Sequence, residues 1–149
     1  MANEYNRRVI DYCIEWADGV QEDLDAVYVE NEDNGLFLDE LFDLLVENAK
    51  VREALTWSRF QHINDPRFDA APVEWSKQWG YNLYYLKMWR QDGVLLPVRL
   101  IYAVHHVAPN PSIWIMGLMH RSDDYDEHSE FAQRVRSDYD RYGIARIPC

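Results

Sequence analysis

Cysteine, lysine and glycine are scarce in this chain, and positive charge is nearly missing from its first third. Two cysteines, Cys13 and Cys149, provide neither a disulfide framework nor a Cys-x-x-Cys metal knuckle, so both read as free thiols. Six glycines are scattered singly, which leaves no Gly-rich loop to cradle a phosphate, and no Gly-x-Ser-x-Gly elbow presents a nucleophile. No window comes near the ~18 consecutive apolar residues of a membrane span. The opening MANEYNRRVIDY lacks the basic-then-apolar order of a secretory signal. The expectation is a cytoplasmic protein with no membrane partner. Among the histidines, His105 and His106 are adjacent and would point to opposite faces of a strand, and His120, Asp123, Asp124 and His128 match no recognised ligand spacing. No metal and no cofactor is expected.

The charge that is present is unevenly placed. The chain carries 26 Asp and Glu against 15 Lys and Arg, net −11, which argues against a protein that simply coats nucleic acid. Residues 1–50 hold only Arg7, Arg8 and Lys50 among fourteen acids, so the whole imbalance is N-terminal. Twelve of the fifteen cations are Arg, the side chain suited to bidentate contact with phosphate or carboxylate. With 149 residues, 48% of them hydrophobic, one domain over 1–149 is expected.

Tyr5, Val9, Cys13, Trp16 and Val20 recur at helical spacing, widened by Ile10, Ile14 and Ala17, and predict an amphipathic helix that buries Cys13. From Glu22 to Gly35 the periodicity leaves helix and strand open. After Asn34-Gly35, the segment LFLDELFDLLVENAKVREAL predicts a second helix with Leu38, Leu41, Phe42, Leu45 and Ala49 facing a sheet. Residues 57–80 read as irregular, with a short helix near Trp75 and Trp79. Trp57, Trp75, Trp79 and Trp89 are candidates for a partner surface, although core filling explains them more simply. YNLYYLKMWR, VLLPVRLIYAVHHV and SIWIMGLMHR, joined by turns at Gln91-Asp92-Gly93 and Ala108-Pro109-Asn110-Pro111, form an antiparallel meander, with Pro97 at a strand start or bulge. His128, Phe131, Ala132, Val135, Tyr139 and Tyr142 define a closing helix, with Asp124 and Glu127 spaced as a capping box. The expected class is α+β: N-terminal helices on a twisted antiparallel sheet of three strands or more, closed by a C-terminal helix.

Arg99 stands out on its strand. A hairpin turning about Asn110 brings it opposite His120 or Arg121, and Tyr125 follows where the chain enters the last helix. Two guanidinium groups, an imidazole and a phenol at one rim suit phosphodiester cleavage through a 2′-hydroxyl: the cations hold the phosphate while the imidazole or phenol moves protons. The bland alternative has Arg99 and Arg121 paired with Asp123, Asp124 or Asp126.

The stretch from about Leu83 to Val135, above all Arg99-Leu-Ile-Tyr102 and His120-Arg121-Ser-Asp-Asp-Tyr125, resembles the RelE/ParE superfamily of toxin–antitoxin toxins. The resemblance implies two helices packed on a twisted antiparallel sheet with the active face on its concave side. One branch of that family cleaves messenger RNA on the ribosome and the other inhibits gyrase. It implies catalytic roles for Arg99, His120, Arg121 and Tyr125, substrate contacts for Lys87 and Arg90, and a cognate antitoxin as partner. Met119 stands where a further cation would be expected. A toxin of this kind needs about 90 to 100 residues, so residues 51–149 read as its core and 1–50 as an acidic helical elaboration. That segment, through Asp11, Glu15, Asp18, Glu22 and Asp23, would lie over Arg99 and Arg121 as a phosphate mimic.

Three functions follow as expectations. The first is a metal-independent, ribosome-dependent mRNA endonuclease. The second is a noncatalytic interaction protein on the same fold, either a ParE-like gyrase inhibitor or an acidic phage-type inhibitor of a host protein that imitates nucleic acid. The third is a regulated assembly, a homo-oligomer or antitoxin complex that loosens at high salt.

Overall fold

A computed structural model describes residues 10–56, 66–107, 109–123 and 126–147. Its first element is a strand, β1 (Cys13–Trp16), where the sequence predicts a helix. The same residues that make a helical stripe also alternate: Asp11, Cys13 and Glu15 are polar or exposed, while Tyr12, Ile14 and Trp16 are apolar. A short segment cannot stabilise a helix alone, whereas an open sheet edge supplies its backbone with partners at once. Accordingly β1 runs parallel to β5 (Ser112–His120), from Cys13 beside Ser112 to Trp16 beside Ile115. Cys13 is an exposed free thiol, not a buried one.

The acidic run becomes helix α1 (Val20–Glu30), which buries Val20, Leu24 and Val27. Asn31 then caps α2 (Glu32–Glu47) by accepting from the Asn34 N–H at 3.0 Å, so Asn34 and Gly35 lie inside the helix and do not precede it. Gly35 is where the two helices meet: a Cβ there would stand 2.5 Å from the Tyr28 ring of α1. The long helix expected over 36–55 is two helices. Asn48 accepts from the N–H groups of Lys50 and Val51 and starts α3 (Ala49–Ala54), because an Asn side chain competes with the helix ladder for those donors.

In the stretch expected to be irregular lies β2 (Phe68–Pro72), and the short helix expected near Trp75 and Trp79 is the single turn α4 (Glu74–Lys77). The meander forms as read: β3 (Leu83–Met88), β4 (Val98–His105) and β5 are antiparallel neighbours. Pro97 precedes β4, where its missing donor is harmless, and its carbonyl accepts from the Arg121 N–H. The five-stranded mixed sheet has the order β1-β5-β4-β3-β2. The closing helix α5 (Glu130–Arg141) is capped by Ser129, which accepts from the Ala132 N–H. Asp124, expected in a capping box, lies outside the described residues, and the Glu127 carboxylate accepts from Gln78 and Trp79.

Strand alternation sorts the sheet into two faces. Val98, Leu100, Tyr102 and Val104 share one face with Ile113, Ile115 and His120. α2 and α3 cover it: Trp16 meets Phe42, Phe37 meets Phe68, and the Tyr102 hydroxyl donates to the Leu55 carbonyl at 2.6 Å. Arg99, Ile101 and Ala103 share the other face with Trp114 and Met119. There α5 packs, through Tyr142 stacked on Trp114 and through Phe131, Ala132 and Val135 around Ile101 and Met119. The acidic N-terminal segment is therefore a layer of the fold, with Leu24, Leu38, Leu41 and Leu45 in the same core as Leu100 and Ile113. No helix among the described residues is long and apolar enough to cross a membrane.

Candidate functional site

The β4–β5 register separates the residues that the sequence places together. Arg99 lies opposite Met119, and Val98 takes the place beside His120. Two features cause this: the strands pair about a point between positions 108 and 109, nearer than Asn110, and the register shifts between Ile101 and Tyr102. Arg99 consequently faces α5, 6% exposed, in the row of Ile101 and Met119. His120 faces the other way. Its Nδ1 is 2.8 Å from the Ser122 hydroxyl and its Nε2 is 3.5 Å from the Glu30 carboxylate of α1. Arg121 is exposed at the start of a short 3-10 turn (Arg121–Asp123). Tyr125 lies outside the described residues. The convergence of Arg99 with His120 expected from the hairpin is thus corrected: they stand on opposite faces of the sheet.

The two cations expected to bind substrate are separated as well. Lys87 shares the Arg99 face, opposite Asp69 and 6.0 Å from the centre of the Tyr85 ring. Arg90 reaches the α2 side, where it donates to Asn34 at 3.1 Å and to both oxygens of Asp92. That guanidinium holds the Asp92 carboxyl below its usual range.

Carboxylates of the N-terminal segment hold arginines from elsewhere in the fold. Asp11 pairs with Arg52 at 2.7 Å, Asp18 with Arg141 at 3.0 Å, and Asp23 grips Arg134 through two bonds. Arg146 lies against Asp140. By contrast, Glu22, Asp25, Glu32, Asp33, Asp43 and Glu47 are exposed along α1 and α2, in a stretch with no Lys or Arg between Arg8 and Lys50, although Arg90 stands near Asp33 and Arg134 near Glu22. These exposed carboxylates give α1 and α2 an anionic surface.

Beside it, the end of β1 with α1 and α2 encloses a cavity of about 280 Å³. Trp16, Val20, Leu24, Phe42 and Val46 make it apolar, and Asp18, Asp39 and Asp43 stand around them. Like Cys13, Trp16 is placed by its helical spacing on the buried stripe of a helix and stands instead on the edge strand. Alternation from Asp11 to Trp16 was the signal that marks it as a strand residue at a sheet edge. Of the tryptophans singled out in the sequence, Trp79 is exposed and stands with Trp75 about the Arg136 guanidinium; Trp57 lies outside the described residues. Among the described residues, no three His, Cys, Asp or Glu side chains are grouped to hold a metal ion.

Comparison with protein-family models, with curated proteins and with solved structures returned no match.

Proposed function

We propose that this chain is a noncatalytic interaction protein on a RelE/ParE-like fold, whose anionic α1–α2 face occupies the cationic, nucleic-acid-binding surface of a protein partner. The observation that carries the reading is the stretch from Val9 to Ala49, which has thirteen acids and no Lys or Arg and is displayed largely on two adjacent helices. Carboxylates fixed on helices offer negative charge to a cationic surface as a phosphate backbone does. Support for the fold relationship comes from the pair of helices on one face of a sheet that contains an antiparallel meander.

The endonuclease reading asks Arg99 to reach a phosphate beside His120, and the burial of Arg99 on the sheet face opposite His120 weighs against it. The two readings part in one experiment. On expression of wild type, Arg99→Ala and a triple charge reversal (Glu22→Lys, Asp25→Lys, Glu32→Lys), an inhibitor loses its effect on growth only in the charge reversal. A nuclease loses it in Arg99→Ala. Purified chain is also expected to displace a labelled DNA duplex from a basic DNA-binding protein, with gyrase the first partner to try, and to do so less well as salt rises. Intact displacement by the triple variant would sink the proposal.

A further inference from the structure

The groove beside the acidic face gives the partner a shape as well as a charge. Trp16 is braced edge-on by Phe42 at 5.0 Å yet remains 36% exposed, and Val46 at the mouth is 52% exposed. A tryptophan held in place with an open face is contact area that binds at little entropic cost. Asp39 on the rim is oriented by a hydrogen bond from the Tyr28 hydroxyl, and Asp18 and Asp43 flank it. The walls on the α1–α2 side are helical, so their ridges and grooves accept a third helix.

Resting on the binding-protein reading above, we propose that this groove docks a cationic amphipathic helix of the partner. Apolar residues at i and i+4 of that helix seat against Trp16 and Val46, and its Lys or Arg residues on either flank meet Asp18, Asp39 and Asp43. Charge selects this occupant. An acidic segment is repelled by the rim, and so is a second copy of this chain docking through its own acidic N-terminal layer.

The test uses the whole chain and a fluorescent helix-forming peptide of about 18 residues, with Leu at i, i+4 and i+7 and Lys on the flanks, read by anisotropy. A second peptide carries Glu for Lys. The cationic peptide is expected to bind in the micromolar range and the acidic one not at all. Val46→Arg and Asp43→Lys should each weaken binding about tenfold or more, a loss of about 1.4 kcal/mol. Glu40→Lys, the same charge change on the same helix outside the groove, should weaken it less than about twofold. All three positions are exposed, so circular dichroism should report an unchanged fold.

If Glu40→Lys weakens binding as much as Asp43→Lys while Val46→Arg binds like wild type, attraction is general and the groove proposal is overturned. Failure of the cationic peptide to bind overturns it equally. In either case continued displacement of DNA by the wild type leaves the interaction reading standing, and loss of that displacement removes both.

Discussion

Asp23 ties three elements together with one carboxylate. β1 pairs with β5 only as far as Ile115, so among the described residues the outer edge of β5 beyond that point has no strand partner. Asp23 fills the gap: it accepts from the Leu118 N–H at 3.0 Å and from both Nη atoms of Arg134 of α5. Asp23→Ala leaves an arginine and a backbone donor without their acceptor. The pair keeps 15% and 34% side-chain exposure, so solvent screening lowers the loss below that of a fully buried pair, to about 2–3 kcal/mol in urea unfolding. Asp23→Asn, which retains an acceptor oxygen, should lose about half as much. A change under about 0.5 kcal/mol for Asp23→Ala would show that water replaces the carboxylate without penalty. Gly117 serves the same contact, since a Cβ there would stand 2.5 Å from Arg134 Nη2 and 2.8 Å from Asp23 Oδ2. Gly117→Ala should therefore cost about 1–3 kcal/mol, and less in an Asp23→Ala background.

His106 supplies a pH dependence. Burial first, and the neighbouring His105 second, push its imidazole below the ordinary value of 6.5, and its Nδ1 is 3.1 Å from the Tyr12 hydroxyl. The unfolded chain takes up the proton before the folded one does. Stability from this group is thus intact above about pH 6.5 and declines as pH falls from there through the lowered folded-state value. Denaturant midpoints at about pH 7.5 and pH 5.5 should differ less in His106→Gln than in wild type; equal differences would remove His106 as the cause.

At the scale of elements, caps decide where helices end. A periodic apolar face runs unbroken from Leu38 to Leu55 in the sequence, yet the helix stops at Glu47 and restarts at Ala49 because the Asn48 side chain satisfies two donors of α3. Asn48→Ala should cost about 0.5–2 kcal/mol and lower the protection of the Lys50 and Val51 amides in hydrogen exchange. Leu45, fully buried at the end of α2, sets the upper comparison at about 2–5 kcal/mol for Leu45→Ala. The meander and the last helix were legible because each has a long run of one periodicity between strong turn signals. β2 was hidden in Phe68–Pro72, where a proline and two alanines carry no strand signature and the pairing with β3 makes the strand. β1 was hidden because four residues satisfy two periodicities at once, and only the open edge of β5 chooses between them.

For the molecule as a whole, charge of one sign on one layer governs behaviour. Net charge is −11, and repulsion among the carboxylates of α1 and α2 opposes their packing side by side. Raising ionic strength from about 0.02 M to about 0.15 M shortens the reach of that repulsion from roughly 20 Å to about 8 Å, so Tm should rise. A fall in Tm would show that the Asp–Arg pairs outweigh the repulsion. The same salt step should weaken binding to a cationic partner, so stability and affinity are expected to move in opposite directions.

Composition and periodicity by themselves determined the concentration of acid in the first third, the meander, the closing helix and the α+β class, because these depend on charge counts and on repeats long enough to have a single solution. Tertiary structure alone decided the register of β4 against β5, and with it which side of the sheet receives Arg99 and which receives His120. A single residue of slip reverses a strand's faces, and that slip is set by a turn and a shift whose cost is smaller than the burial energy of the strands around them. The groove at Trp16 has the same origin: it exists only where a strand end and two helices distant in sequence meet.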